Sequence, residues 1–134
     1  MATFNKFNSF VEAVAEGVHD LGANTLMVAL TNSAPSVANT QLSNITQISY
    51  ANLSARTLSR ISSSQTGGQY ALKCNALTLT ASGSVPTFQY IVIYNDSASN
   101  KELIGWYNYG SGVTLADGDT FTITFDDDTV LTLE

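Results

Sequence analysis

Few residues of this chain belong to the types that do covalent chemistry, since it contains one histidine, His19, and one cysteine, Cys74. A serine or cysteine nucleophile needs a neighbouring base, most often histidine. His19 falls on a predicted amphipathic helix, while Cys74 alternates with Tyr70 and Leu72 in a predicted strand, which favours a buried thiol. The chain contains no G-x-S-x-G or glycine-rich phosphate-binding motif. We therefore predict that the protein is not an enzyme and has no catalytic residue.

The aspartates near the C-terminus form two clusters, one on each side of a predicted strand. Asp117 and Asp119 precede this strand, and residues 126–128 follow it. Carboxylates on tight turns are ligands that Ca²⁺ prefers, but the strand spans roughly 20–25 Å at about 3.3 Å per residue. The two clusters therefore cannot share one ion, and the same distance argues against a glycosidase pair of carboxylates. We predict no metal ion and no other cofactor.

Aromatic residues are concentrated in residues 87–109, which contain the only tryptophan and four of the six tyrosines. This stretch predicts two strands joined by a polar loop, and the first strand is apolar on both faces, as an inner strand is. In the second strand, alternation places Tyr107 and Tyr109 on one face and Trp106 on the other. The aromatic residues are interpreted as core, and the alternative is a platform for stacking sugars.

A single amphipathic helix is predicted over residues 3–21. Thr3 or Asn5 is suited to cap its start, Gly22 is suited to end it, and His19 falls in the last turn. Gly17 is expected to weaken its interior. Its apolar residues recur at spacings of three and four: Phe4, Phe7, Val11, Val14, Val18 and Leu21.

The rest of the chain, residues 24–134, predicts about eight short strands separated by turn signals. The first strand covers residues 24–31, and a long polar loop follows over residues 32–44. Gly67-Gly68 and Asp117-Gly118 are hairpin signals. The predicted fold is mainly β, a jelly-roll-like two-sheet sandwich with one N-terminal helix. A length of 134 residues is typical of a single domain, residues 1–134.

The charge balance excludes some classes of partner. The net charge is −6, with five basic residues in the whole chain. Phosphate backbones and anionic membranes both require clustered Lys or Arg, so we predict neither a nucleic-acid nor a membrane partner. No secretory signal is evident, and we expect synthesis in a cytoplasm.

Four stretches of the chain resemble the head decoration, or capsid cement, proteins of tailed bacteriophages. They cover most of the chain: FNKFNSFVEAVAEGVHDLGANTLMVALTNSAP, LTLTASG, FQYIVIYNDSASNKELIGWYNYGSGVTLADGDTFTITF and DDTVLTL. The chain departs from the family at about residues 49–58, where a glycine-rich stretch is missing. None of these motifs is catalytic.

The resemblance implies a jelly-roll protein of the virion, made in the host bacterium, that binds the outside of the head. Its partners would be the major capsid protein and further copies of itself, as a dimer or trimer. By position rather than by motif, we assign the contacts to the N-terminal arm and the loop after the first strand: Ala2, Thr3, Phe4, Ser33, Pro35 and Val37. The alternative function is a module of a tail fibre or baseplate that binds a host receptor or glycan.

Overall fold

The computed structural model describes residues 2–134 and is mainly β, with nine strands and one α-helix in that range. The sequence predicted about eight strands. The strand that it missed is the first, which lies within the residues predicted to be helical. Two 3₁₀ turns, Leu42–Asn44 and Asp126–Asp128, complete the regular structure. The elements in chain order are β1 (Asn5–Lys6), α1 (Asn8–Ala15), β2 (Leu26–Thr31), β3 (Arg60–Thr66), β4 (Gln69–Cys74), β5 (Leu77–Thr80), β6 (Val85–Asn95), β7 (Leu103–Leu115), β8 (Thr120–Ile123) and β9 (Thr129–Leu133).

The hairpin of β6 and β7 forms the middle of a four-stranded antiparallel sheet with the order β1-β7-β6-β2. The sequence prediction of two strands joined by a polar loop is confirmed here. In β6, five consecutive residues are buried, Ile91 to Asn95. Because neighbouring side chains in a strand point to opposite faces, both faces of this inner strand are covered.

Two smaller antiparallel sheets have the orders β3-β4-β9 and β5-β8. Gly67 and Gly68 both have positive φ and join β3 to β4, as predicted. The prediction that Asp117-Gly118 joins β7 and β8 in a hairpin is wrong. Gly118 does form a turn with φ +87°, but β8 pairs with β5 rather than with β7, because the N–H of Gly118 bonds the carbonyl of Ala81 next to β5.

The core consists of two clusters, one on each face of the four-stranded sheet. The larger cluster takes side chains from all three sheets, among them Val28, Leu72, Leu79 and Ile93. The smaller cluster lies on the other face and is covered by Phe7; it also contains Ala29, Ile45, Val92, Tyr94 and Leu103. This sheet is therefore the element around which the rest of the chain packs.

The helix is much shorter than the predicted 3–21, and it ends at Gly17 rather than Gly22. Residues 5–6 instead pair with β7. At the other end, Gly17 has φ +78°, its N–H bonds the carbonyl of Val14, and the N–H of Val18 bonds the carbonyl of Ala13. These two bonds are the Schellman pattern, with Gly17 as the left-handed residue. His19 therefore lies beyond the helix and not in its last turn.

The predicted apolar stripe is only partly buried. Phe10, which is not part of the stripe, is 1% exposed, whereas Val11 is 54% and Val18 38% exposed. Phe7 is buried but is the residue before the helix. Neither Thr3 nor Asn5 caps α1, because the N-cap residue is Phe7 and no side chain caps the helix. The N–H of Asn8, the first helical residue, donates to the carbonyl of Val37 over 3.0 Å.

Candidate functional site

A groove of about 600 Å³ opens between the outer half of β7 and strand β8. The walls come from two different sheets, and the N-terminal arm reaches one end of the groove. Cavities of 300–1,000 Å³ are typical of small-molecule sites. Its lining residues are Ala2, Ile91, Tyr107, Asn108, Tyr109, Phe121, Thr122, Ile123 and Thr124.

A bulge in β7 shapes one wall of the groove. Tyr90 pairs with Asn108, and Phe88 pairs with Val113, so two steps along β6 correspond to five along β7. Four residues of β7, 109–112, therefore lie opposite the single β6 residue between Phe88 and Tyr90, and they include Gly110 at φ +97°, a conformation that favours glycine. Bulges re-aim side chains, often beside functional sites. The first residue of this bulged segment is Tyr109.

Phe88 changes face at the same place. Strict alternation predicts that Phe88 shares a face with Val92 and Tyr94, but it belongs to the larger core cluster together with Ile91 and Ile93. The pairing register shifts between Phe88 and Tyr90, which breaks the two-residue period of the strand. Phe88 thereby supports the groove from inside, since its ring makes an edge contact with Phe121 at 5.2 Å.

Two tyrosines of the groove differ in their surroundings. The side chain of Tyr109 is 55% exposed, and its ring meets Phe121 edge-on, with centroids 5.3 Å apart. Tyr107 is half-buried between Phe4 at 5.6 Å and Phe125 at 6.3 Å. The pKa of Tyr107 is raised to about 12, mainly by burial and to a smaller extent by nearby Cys74. Tyr107 is therefore a neutral phenol fixed by packing, whereas Tyr109 presents its ring to solvent.

Asn108 supplies the best-ordered polar group of the groove. Its Oδ1 accepts hydrogen bonds from Gln89 Nε2 over 3.0 Å and from the N–H of Gly110 over 2.8 Å. These two donors fix the orientation of the amide, and its Nδ2 bonds no residue within 2–134. On the opposite wall, the hydroxyl of Thr122 bonds that of Thr78 over 3.1 Å. The groove thus combines aromatic rings with oriented neutral polar groups.

The N-terminal arm is held beside the groove by a close contact between Phe4 and Gly105. The ring of Phe4 occupies the space that a side chain at Gly105 would fill, and a Cβ there would also lie 2.8 Å from the carbonyl oxygen of Asn5. The Nδ2 of Asn5 donates to the carbonyl of Trp106 over 3.3 Å. Glycine at position 105 is therefore what permits β1 and the arm to lie against β7.

The residues considered for catalysis lie in the interior. Cys74 is 1% exposed, as predicted, and its thiol is free. Burial raises the pKa of Cys74, an effect that Arg60 partly offsets. His19 is 7% exposed and lies against the ring of Phe10, with centroids 5.4 Å apart. Neither side chain lines the groove.

The aspartates of the two C-terminal clusters lie on turns. The N–H of Ala116 donates to a carboxylate oxygen of Asp119 over 2.8 Å, and Lys73 forms an exposed ion pair with Asp127 at 3.3 Å. Within residues 2–134, no group of three His, Cys, Asp or Glu side chains is arranged to hold a metal ion. An exposed ion pair of this kind contributes about 0–1 kcal/mol to stability.

The predicted contact residues fall in two places. Ala2 lines the groove, Phe4 packs against Tyr107, and Thr3 is exposed between them. In the loop after β2, Ser33 is exposed, Pro35 is half-buried and Val37 is 48% exposed. The bond from Asn8 to Val37 joins this loop to the start of α1, so the loop and the N-terminal segment form adjoining surface.

The sequence interpretation of the aromatic residues as core is wrong for Tyr109, which is 55% exposed because the bulge lifts it out of the regular pairing of β7. Sequence reasoning also missed the other wall of the groove. Phe121, Thr122 and Thr124 alternate in a way that predicts a strand, but nothing in this pattern shows which strand lies opposite. Trp106, the third member of the predicted platform, instead packs on Phe7 at 4.6 Å on the other face. Because neighbouring residues of a strand point to opposite faces, the sequence alone already placed Trp106 on the other face from Tyr107 and Tyr109.

The chain was compared with known proteins in three ways. No protein-family model, no curated protein and no solved structure matched it. Among the helices of residues 2–134, none is long and apolar enough to span a membrane. The site is accordingly interpreted from its own geometry.

Proposed function

We propose that this chain is a structural protein of a tailed-bacteriophage virion, which binds the outside of the head and stabilises the lattice of the major capsid protein. The resemblance of four sequence stretches to head decoration proteins supports this proposal. The structural observation that carries it is the presence of open strand edges without charged residues. Such edges suit a protein that works by pairing with other chains.

Open and closed edges can be compared directly. The outer edge of β2 is closed by residues 47–58: the N–H of Val28 bonds the carbonyl of Arg56, and the N–H of Leu58 bonds the carbonyl of Leu26, each over 2.9 Å. By contrast, β3 is the terminal strand of its sheet, and no strand within residues 2–134 pairs with its outer side. A seven-residue edge therefore remains free.

Charge does not protect this edge. Among the nine strands, the charged residues are Lys6, Arg60 and Lys73, and all acidic residues of the chain lie outside the strands. Arg60 donates its guanidinium hydrogens to the carbonyls of Leu21 and Asn24 in its own chain. Residues 61–66 are then an uncharged edge, whereas monomeric proteins usually block edges with Lys or Pro. Pairing of strands between chains is a common mode of recognition.

A second exposed surface adjoins the start of α1. Val37 is 48% exposed, and Val11, one helical turn after Asn8, is 54% exposed. The hydrogen bond between Asn8 and Val37 brings the two segments together, and residues three apart share a helix face. We assign the contact with the major capsid protein to this surface, which contains part of the predicted contact loop.

We also propose how the three sheets are arranged and how the protein stabilises the shell. The three sheets form a jelly-roll-like sandwich, with β3-β4-β9 and β5-β8 together opposite the four-stranded sheet. A protein that binds the assembled shell but not its separate subunits stabilises the shell by mass action. Because identical sites repeat over a lattice, linked contacts of modest strength give high avidity.

The test uses heads assembled from the major capsid protein encoded with this chain. Purified protein is added, and binding is measured by co-sedimentation and head stability by the temperature at which the heads disrupt. We expect saturable binding and a higher disruption temperature. Val37→Asp should weaken binding, whereas Ala116→Asp, an exposed change of the same charge on the turn between β7 and β8, should not. Absence of binding, with density at the tail tip in a virion reconstruction, would overturn the proposal and support the tail alternative.

A further inference from the structure

We propose that the groove between β7 and β8 is a binding site for a neutral saccharide. The groove is separate from the β3 edge and from the surface at Val37, so a ligand there is a function beyond attachment to a shell. The proposal holds whether the protein occupies a head or a tail.

The first support is the exposure of Tyr109. A bulge lifts this residue out of the regular pairing of β7, and its ring remains 55% exposed while its orientation is restrained by Phe121 at 5.3 Å. Leaving an aromatic ring in water forgoes the stabilisation that burial of a large apolar side chain provides. A flat, pre-oriented ring in a groove is suited to stack against the apolar face of a sugar ring.

The second support is the set of polar groups around that ring. The amide of Asn108 is fixed by two donors to its Oδ1, which leaves both hydrogens of Nδ2 free to donate to a ligand. Thr124, whose hydroxyl makes no hydrogen bond within residues 2–134, is one of the residues of the opposite wall. Oriented amides and hydroxyls are the groups that fix and select a ligand in a largely apolar pocket.

The third support is the charge of the groove. Its nine lining residues include no Asp, Glu, Lys, Arg or His. The chain as a whole carries −6, so an anionic ligand such as a sialylated or phosphorylated glycan would be repelled without any local cation to bind it. These conditions favour a ligand that is neutral and rich in hydroxyl groups.

An extended peptide on the free edge of β7 is the competing occupant. Beyond Trp106 this edge has no partner strand within residues 2–134, since β1 pairs only with Gly105 and Trp106. A peptide strand, however, needs a regular row of backbone donors and acceptors. The bulge at residues 109–112 and the positive φ of Gly110 interrupt that row beside the groove. The groove is therefore better suited to a ligand held by side chains.

The experiment titrates the full chain with neutral saccharides and follows backbone amide shifts by NMR. The probes are the methyl glycosides and short oligomers of glucose, galactose, mannose and N-acetylglucosamine, with sialyllactose and an uncharged extended peptide as comparators. We expect at least one neutral saccharide to give saturable shifts confined to residues 107–110 and 121–124. Tyr109→Phe should retain affinity, and Tyr109→Ala should lose about tenfold, which corresponds to about 1.4 kcal/mol.

Val18→Ala is the matched control, because Val18 is an exposed apolar side chain outside the groove and outside the β3 edge; the affinity of this variant for the saccharide should equal that of the wild type. Since Tyr109 is mostly exposed, its replacement should leave the fold intact, which the unchanged spectrum away from the groove will verify. The proposal is overturned if no neutral saccharide gives saturable shifts, if sialyllactose or the peptide binds more tightly than any neutral saccharide, or if Tyr109→Ala binds as well as the wild type.

Discussion

The side-chain amide of Asn95 donates a hydrogen bond to Nδ1 of His19 over 3.0 Å. The direction of this bond is fixed, because Oδ1 of Asn95 accepts from the N–H of Ser97 and its Nδ2 also donates to Oδ1 of Asn24. Nδ1 of His19 must then be unprotonated, and the neutral ring carries its proton on Nε2, an atom with no hydrogen-bond partner within residues 2–134. The folded protein therefore favours neutral His19.

This arrangement predicts that the protein loses stability as the pH falls below about 6.5. Burial lowers the pKa of His19 from its ordinary value of 6.5, and the nearby Glu102 carboxylate raises it by a smaller amount. Below pH 6.5 the unfolded chain binds a proton that the folded chain resists, so the free energy of unfolding decreases with decreasing pH; above pH 6.5 the contribution is constant. Urea denaturation from about pH 5 to 8 measures this slope.

The matched variant for this prediction is His19→Gln, whose side-chain oxygen can still accept from Asn95 but cannot titrate. Its free energy of unfolding should depend less on pH in the same window. The difference in slope from the wild type should correspond to the uptake of at most one proton per molecule on unfolding. Equal slopes for the wild type and the variant would show that His19 is not the group responsible.

The termination of α1 gives a second prediction, that Gly17→Ala destabilises the protein by about 1–2 kcal/mol, the cost of a left-handed conformation for a residue with a Cβ. Gly17 has φ +78°, and no atom lies within 4 Å of the point where the Cβ of an alanine would stand. The backbone conformation alone therefore sets the cost. The free energy of unfolding in urea measures it.

Gly22→Ala is the control, because sequence reasoning placed the helix end at Gly22. The φ of Gly22 is outside the left-handed region, and an added Cβ would lie 3.2 Å from Oγ of Ser63, a hydroxyl that can shift slightly. This change should cost less than Gly17→Ala. The opposite order would indicate that Gly22, not Gly17, ends the helix in solution.

These glycines illustrate what the sequence can and cannot reveal. The strand that contains Tyr70, Leu72 and Cys74, the turn at Gly67-Gly68 and the burial of Cys74 follow from patterns within a few residues, and all three are confirmed. The start of the helix was predicted too early because residues 5–6 find hydrogen-bond partners about a hundred positions away, in β7. Local periodicity carries no information about such a partner.

The lack of information about distant partners also explains why the sequence drew attention to residues of only one wall of the groove. Tyr107 and Tyr109 stand in an aromatic stretch that attracts attention as a unit. Phe121 and Thr122 join them only because β8 pairs with β5 instead of forming a hairpin with β7. The turn residues Asp117-Gly118 are compatible with both connections, so turn chemistry alone could not distinguish them.

The contact of Phe4 with Gly105 gives a third prediction. Gly105→Ala places a Cβ against the ring of Phe4 and 2.8 Å from the carbonyl oxygen of Asn5, and overpacking of this kind costs about 1–3 kcal/mol. In a Phe4→Ala background part of that clash is absent, so the same change should cost less. Urea denaturation of the four proteins in this double-mutant cycle measures the coupling; additive effects would mean that the arm does not rest on Gly105.

The free edge of β3 gives the last prediction, that Ser64→Lys weakens self-association of the protein. Ser64 is exposed on β3, and a lysine there would have to lose water for a second copy to pair with the edge. The change moves the net charge from −6 to −5, that is −6 + 1, which by itself reduces repulsion between copies. Any loss of association therefore comes from the position of the charge and not from its sign.

Sedimentation equilibrium over a range of protein concentrations provides the measurement. We expect the wild type to form a dimer or trimer and Ser64→Lys to raise its dissociation constant about tenfold, since a free-energy change of about 1.4 kcal/mol corresponds to that factor. Ser84→Lys adds the same charge at an exposed residue outside the strands of the β3 sheet, and it should associate at least as strongly as the wild type. If both lysine variants associate like the wild type, the copies meet through a surface other than β3.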